Sequence, residues 1–138
     1  MQSAVGALAA SSPARSFDLG RLLAIPGPGR VRAVLDTDAG NGIDDQYAIA
    51  YSLASRRRLS IESIYSAPFV NDRTPSAAAG LKKSHGEILR LLDFFPDAGA
   101  TTVLRGASRF MAHRGRPAES AAAKDLIEKA LRPREKPP

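Results

Sequence analysis

The chain has 138 residues, a formal net charge of +6 and no cysteine, and this length suffices for one small domain. Without cysteine it has no disulfide, no thiolate nucleophile and no cysteine-containing metal site, which is compatible with the cytoplasmic location that we expect. No apolar run approaches the roughly 20 residues that span a bilayer. No aromatic residues alternate with the basic clusters, so we expect neither a membrane nor a nucleic-acid partner.

Residues 1–30 are rich in Ala, Ser, Gly and Pro. This composition predicts a flexible leader, followed by an α/β domain over residues 31–138. The segment 4–10 is only weakly apolar, and no Lys or Arg precedes it. Because a secretory signal needs a charged start and a longer apolar run, we do not expect the leader to be one.

The first strand and the first amphipathic helix follow the leader. Residues 31–37 are apolar and β-branched, which predicts a buried strand. Residues 44–55 carry apolar side chains at helical spacing, which predicts an amphipathic helix. Its first turn holds two carboxylates, which favour the positive end of the helix dipole. The predicted apolar face consists of Ile43, Tyr47, Ala50, Tyr51 and Ala54.

Two further strands and two further helices are predicted downstream. Residues 59–67 and 101–104 are predicted strands. A helix is predicted from Thr74, as its N-cap, and Pro75, as its first residue, to about Phe94. A last helix is predicted from its cap at Ser120 to Leu131. The core face of the longer helix is predicted to hold Leu81, Ile88, Leu91, Leu92 and Phe95.

The alternation of strands and helices predicts an α/β fold with a mainly parallel sheet, flanking helices and right-handed crossovers. Ligands of such sheets bind beyond the carboxyl ends of the strands. Asp36, Asp38 and Asn71 lie at or just after predicted strand ends. The pattern therefore places these polar side chains where this architecture binds ligands.

Four carboxylates, Asp36, Asp38, Asp44 and Asp45, lie within one strand-to-helix turn. Crowded like charges raise one another's pKa, so a hard divalent cation is their simplest partner. Asp38 and Asp45 offer carboxylate oxygens to such a cation, and a water on the metal beside Asp38 is easier to deprotonate. Asp44 is then suited to bind sugar hydroxyls through charge-assisted hydrogen bonds.

The stretch 36–45, Asp-Thr-Asp-Ala-Gly-Asn-Gly-Ile-Asp-Asp, resembles the amino-terminal Asp-rich signature of the inosine-uridine-preferring nucleoside hydrolases. The spacing between the aspartate pairs is two residues longer than usual, which is typical of a divergent branch. The resemblance continues through residues 64–71, 84–92, 103–106 and 121–131.

This resemblance implies an open, Rossmann-like core and calcium-assisted hydrolysis of the N-glycosidic bond of ribonucleosides. Carried over by position, Asp38 looks like the general base and a calcium ligand, and Asp45 looks like the bidentate calcium ligand. Asp44 looks like the residue that binds the ribose hydroxyls, and Asn71 is similar to an asparagine that contacts the ribose. Asp36 matches the first aspartate of the signature and has a supporting role.

The chain departs from the family because members are much longer. A carboxylate from their carboxyl-terminal half completes the calcium site, and a histidine often assists near the leaving base. No carboxylate after Asp45, Asp125 included, has a context that matches the missing ligand. We therefore interpret the chain as the amino-terminal portion of such an enzyme. We expect an incomplete sheet with an exposed edge, inactive alone unless it pairs with a second copy or a carboxyl-terminal half.

Two alternatives stay open at this point, and the sequence argues against a third, an EF-hand-like loop. A non-catalytic fragment that binds calcium or ribose needs only part of the same residues. An EF-hand-like loop starting at Asp36 and Asp38 lacks the bidentate Glu, because Tyr47 stands in its place. A phosphatase resembling the haloacid dehalogenases would use Asp36 as nucleophile and Asp38 as acid. The last two leave Asp44 and Asp45 unexplained.

Overall fold

The computed structural model describes residues 18–98, 101–112 and 116–132. Within these ranges the chain forms four helices and three strands. In chain order they are α1 (Leu19–Leu22), β1 (Val31–Thr37), α2 (Asp44–Ala54), β2 (Leu59–Ser66), α3 (Ala77–Leu92), β3 (Thr102–Arg105) and α4 (Ala121–Leu131). No helix of the described ranges is both long and apolar enough to cross a bilayer.

The segment before β1 is attached to the turn that follows α2. The guanidinium group of Arg58 donates hydrogen bonds to the carbonyl oxygens of Pro26, at 2.7 Å, and of Gly27, at 2.6 Å, and a third to the carbonyl of Gly29. Residues 26–29 thereby lie against the amino end of the sheet. Residues 1–17 of the predicted leader lie outside the described residues, so the boundary at residue 30 stays a prediction.

The three strands form one parallel sheet in the order β1-β2-β3. This arrangement confirms the predicted α/β fold with a parallel sheet and flanking helices. Thr37 at the end of β1 lies opposite Ser66 of β2, which in turn lies opposite Arg105 of β3. The carboxyl ends of all three strands therefore meet at one edge, as the sequence pattern predicts.

The two faces of the sheet are covered by different helices. Leu35 and Ile64, which are paired across β1 and β2, face the apolar core formed with α2 and α3. Because side chains alternate along a strand, Tyr65 faces the opposite side, where its hydroxyl bonds to Asp125 of α4. The buried residues of the α2/α3 core are Ala39, Ile49, Leu53, Ile64, Ile88 and Leu91.

The predicted apolar face of α2 is wrong. Ile43, Tyr47 and Tyr51 are 71%, 70% and 74% exposed, whereas Ile49 and Leu53 are buried. Apolar residues lie on most sides of this helix, so their spacing alone defines no unique core face. Packing against the sheet and α3 decides the orientation, because Ile49 and Leu53 belong to the core formed there.

Helix α3 starts later than its predicted cap at Thr74. Thr74 and Asn71 instead exchange backbone hydrogen bonds of 3.1 and 2.9 Å in a tight turn. The hydroxyl of Ser76 caps the helix by accepting a hydrogen bond of 3.2 Å from the backbone N–H of Ala79. The turn therefore occupies Thr74, and the next hydroxyl along the chain becomes the cap.

The core face of α3 agrees with the sequence pattern. Leu81, Ile88 and Leu91 are buried, and Leu92 and Phe95 are partly buried against the same core. The helix ends at Leu92, two residues earlier than predicted. Helix α4 starts after its predicted cap, where the hydroxyl of Ser120 accepts from the N–H of Ala123 at 3.1 Å.

Candidate functional site

The chain leaves β1 at Thr37 and reaches α2 through a short loop at the carboxyl edge of the sheet. The backbone N–H of Asn41 donates to the carbonyl of Asp38 at 3.0 Å, which closes the loop into a turn. Gly40 has a φ of +90°, a conformation that favours glycine. The turn brings Asp38 next to the first turn of α2, and residues 36–45 together form the acidic turn.

Asp38 and Asp45, the two predicted metal ligands, lie together in the structure. The hydroxyl of Thr37 donates a short hydrogen bond to Asp45, and the carboxylate of Asp38 lies within hydrogen-bonding reach of the same group. Burial raises the pKa of Asp45, the hydrogen bond from Thr37 opposes the rise, and the carboxylates of Asp38 and Asp44 add to it. A proton or a cation therefore stabilises this pair.

Asn71 is connected to Asp38 through Asn41. The side-chain amide of Asn41 donates to Oδ2 of Asp38 at 2.9 Å. The amide of Asn71 donates to Oδ1 of Asn41, also at 2.9 Å. The loops that follow β1 and β2 are joined in this way, so the structure brings Asn71 to the acidic turn. Asn41 was missed as a site residue, and its only signal was a position three residues after Asp38.

Asp36 lies on the other face of the sheet. It pairs in register with Tyr65, and both residues line a cavity of about 230 Å³ with Ser66 and Ser120 at the carboxyl edge. Partial burial raises the pKa of Asp36, and repulsion from Asp38 raises it further. Asp36 is thus an electrostatic neighbour of Asp38, while its side chain faces a different space.

Asp44 begins α2 and is exposed. It lies beside Asp45 at the outer side of the acidic turn, and its carboxylate is close enough to contribute to the raised pKa of Asp45. An exposed carboxylate at this position remains accessible to a ligand that approaches from solvent. This placement is compatible with the predicted role in binding sugar hydroxyls.

The oxygen donors of the acidic turn match calcium in kind, although they are few. Asp38 and Asp45 supply carboxylates, and the hydroxyl of Thr37 lies beside them. Calcium takes about six to eight oxygen ligands. Across the described ranges, no group of three or more His, Cys, Asp or Glu side chains is arranged to hold a metal ion. Carbonyls, water, substrate hydroxyls or residues of another chain would have to complete the coordination.

A second polar cluster, which the sequence did not reveal, joins α4 to the sheet. Oδ2 of Asp125 accepts hydrogen bonds from the hydroxyls of Tyr65, at 2.7 Å, and Ser63, at 2.9 Å. Lys129, one turn after Asp125, forms an ion pair with it at 2.5 Å and donates to the Ser63 oxygen at 3.0 Å. The only sequence signals were the two-residue spacing of Ser63 and Tyr65 and the four-residue spacing of Asp125 and Lys129.

The same contacts shift the pKa values of the two acidic groups in this cluster. The hydrogen bonds from Lys129 and Tyr65 lower the pKa of Asp125 to about 2. Burial and the neighbouring Asp125 carboxylate raise the pKa of Tyr65 to about 12. Ser63 is fully buried, so its hydroxyl is sealed from substrates. We assign the cluster to the attachment of α4 and not to catalysis.

Comparison of the chain with protein-family models, with curated proteins and with solved structures finds no match. The resemblance to nucleoside hydrolases therefore rests on the sequence motif alone.

Proposed function

We propose that this chain is a nucleoside hydrolase-like protein whose acidic turn cleaves the N-glycosidic bond of ribonucleosides with the help of calcium. One observation carries the proposal. The carboxylates of Asp38 and Asp45 lie side by side at the carboxyl end of β1, and Asn71 reaches them through Asn41. This edge of a parallel sheet is where such folds bind their ligands.

In this mechanism Asp38 accepts a proton from the water that attacks the anomeric carbon. The bond between the anomeric carbon and the base nitrogen breaks through an oxocarbenium-like transition state, as in other glycosyl transfers. The base leaves with the bonding electron pair and takes a proton from solvent. When calcium is held by Asp38 and Asp45, its charge lowers the pKa of a neighbouring water.

The remaining residues bind and orient the ribose. Asp44 is exposed beside the pair and accepts hydrogen bonds from ribose hydroxyls, which are strengthened by its charge. The amide of Asn71 offers a further polar contact from the neighbouring loop. Asp36 supports the site from the end of β1, where burial and then repulsion from Asp38 raise the pKa of the Asp36 carboxyl.

The test is ribose release from inosine and uridine by the purified chain, with and without excess chelator. We expect chelator-sensitive release that Asp38→Asn and Asp45→Asn each abolish. Asp93→Asn serves as a matched control, because Asp93 is an exposed carboxylate at the end of α3, away from the acidic turn. Full activity of the Asp38→Asn variant would contradict the assignment.

A non-catalytic calcium- or ribose-binding fragment is the second candidate. Within the described ranges no three His, Cys, Asp or Glu side chains are arranged to hold the metal that catalysis needs, whereas ribose binding by Asp44 and Asn71 needs none. Calcium binding by equilibrium dialysis without ribose release would support this candidate. Activity that appears only as the protein concentration rises would indicate that a second copy completes the site. Magnesium-dependent phosphate release that requires Asp36 would instead favour the phosphatase hypothesis.

A further inference from the structure

A second cavity lies at the opposite, amino-terminal edge of the sheet. Its volume is about 430 Å³, which is within the usual size of pockets for small organic ligands, about 300–1,000 Å³. It is bordered by the start of β2, the end of α2, the end of α4 and the residue before β1. The acidic turn has no part in it.

Most of the charged residues that line this cavity are basic. Arg30, Arg56, Lys129 and Arg132 line it, whereas Glu62 is the one carboxylate among its described lining residues. Arg132 and Lys129 are close enough to Glu62 that their charges help to lower the pKa of its carboxyl, after the larger effect of Arg32. The cations therefore converge on the same space from different elements.

Two of these cations have ion-pair partners, and two are available to a ligand. Arg56 pairs with Asp97 at 3.6 Å, and Lys129 pairs with Asp125. Within the described ranges, no carboxylate lies at ion-pair distance from Arg30 or Arg132. Basic residues near the carboxyl ends of helices stabilise those helices, but Arg30 precedes β1 and belongs to no helix end.

Aliphatic side chains also line the cavity. Leu53, Leu59 and Ile61 border it together with hydroxyl-bearing residues. Leu53 is buried, and the other two are partly buried. A cavity that brings cations and aliphatic side chains together is complementary to a ligand with an anionic group attached to an apolar part.

We propose that this basic cavity binds the phosphate group of a small phosphorylated organic compound, with Arg30 and Arg132 as the phosphate contacts and Leu53, Leu59 and Ile61 against the organic part. Guanidinium groups suit this role because they can donate two parallel hydrogen bonds to phosphate oxygens. The site is independent of the hydrolase proposal, since the two lie at opposite edges of the sheet.

Isothermal titration of the full chain with phenyl phosphate, at low ionic strength, tests the site. We expect the double variant Arg30→Gln/Arg132→Gln to bind about tenfold more weakly, because exposed charge pairs each contribute a few-fold in affinity. Glu62→Gln should bind more tightly, because it removes the opposing charge. Arg109→Gln, which removes an exposed arginine outside the cavity, and Asp38→Asn should bind like the parent chain.

Three results would overturn the proposal. They are no measurable binding of phenyl phosphate by the parent chain, an equal loss of affinity in the Arg109→Gln control, and an unchanged affinity in a double variant that melts at the same temperature as the parent chain. Titration with inorganic phosphate distinguishes a phosphorylated organic ligand from free phosphate. Weaker binding of inorganic phosphate than of phenyl phosphate supports a phosphorylated organic ligand. Equal affinity for the two would contradict a contribution from the aliphatic side chains.

Discussion

The side-chain amide of Asn71 donates a hydrogen bond of 2.9 Å to the side-chain oxygen of Asn41. Asn41 in turn donates to Asp38, so two loops that are 30 residues apart in the sequence share one polar chain. The contact fixes one carboxylate oxygen of Asp38, Oδ2. The position of the proposed general base therefore depends on Asn41, a residue to which the family resemblance assigns no role.

Asn41→Ala is expected to reduce ribose release. The substitution removes a hydrogen bond to a charged group, a contact of about 1.5–3 kcal/mol, so kcat/KM should fall about tenfold or more. Asp72→Asn, an exposed substitution in the turn beside Asn71, provides the control and should leave the rate unchanged. An unaltered rate in Asn41→Ala would show that Asp38 needs no such support.

Gly80→Ala and Gly86→Ala are expected to have opposite effects on the free energy of unfolding. A Cβ at Gly80 would lie 2.0 Å from the carbonyl oxygen of Phe69, whereas a Cβ at Gly86 meets nothing within 4 Å. Overpacking should destabilise the first variant by about 1–3 kcal/mol or more. Helix propensity should stabilise the second by roughly 0.5–1 kcal/mol. Urea denaturation measures both, and equal stability of the two variants would refute the close packing of α3 on the Phe69 loop.

Ile49→Ala and Tyr47→Ala test the orientation of α2. Ile49 is 1% exposed and Tyr47 is 70% exposed. Loss of the buried side chain should cost about 2–5 kcal/mol of unfolding free energy, whereas the exposed substitution should change it by no more than about 0.5 kcal/mol. Thermal and urea unfolding of the two variants would provide the values. A larger loss in Tyr47→Ala than in Ile49→Ala would show that the apolar face predicted from the sequence is the buried one.

Asp125→Asn is expected to reduce the loss of folding stability at acid pH. The pKa of Asp125 is lowered to about 2 in the folded chain, against about 4 in an unfolded one. Its contribution to stability is therefore fully present above about pH 4 and is lost as the pH falls toward 2. The melting temperature, followed from pH 6 to 2, should fall less steeply in the variant over this interval.

Asp97→Asn is the control for that titration. Asp97 is an exposed carboxylate whose only ion pair in the described ranges, with Arg56 at 3.6 Å, lies outside this cluster. Because exposed pairs contribute little to stability, the variant should keep the acid dependence of the parent chain. The melting temperatures of Asp125→Asn and of the parent chain could instead fall equally steeply between about pH 4 and 2. The cluster of Ser63, Tyr65, Asp125 and Lys129 would then not hold α4 in solution.

The order of the elements and the place of the acidic turn were both accessible from the sequence. Strands 31–37 and 59–66 are marked by short apolar runs, and α4 is marked by its Ser120 cap. These signals are local, because they depend on alternation, helical spacing and capping within a few residues. Since parallel strands bring their carboxyl ends to one edge, local signals also sufficed to expect Asp38 and Asn71 near each other.

Other features of the protein were decided only by the tertiary structure, because they depend on contacts between distant parts of the chain. The buried side of α2, the link from Asn71 to Asn41 and the attachment of Asp125 to Tyr65 each join residues that no local pattern connects. The convergence of Arg30 and Arg132 on one cavity is of the same kind. Periodicity shows which residues share a side of one element, whereas the packing of elements against one another decides which side is buried and which charges meet.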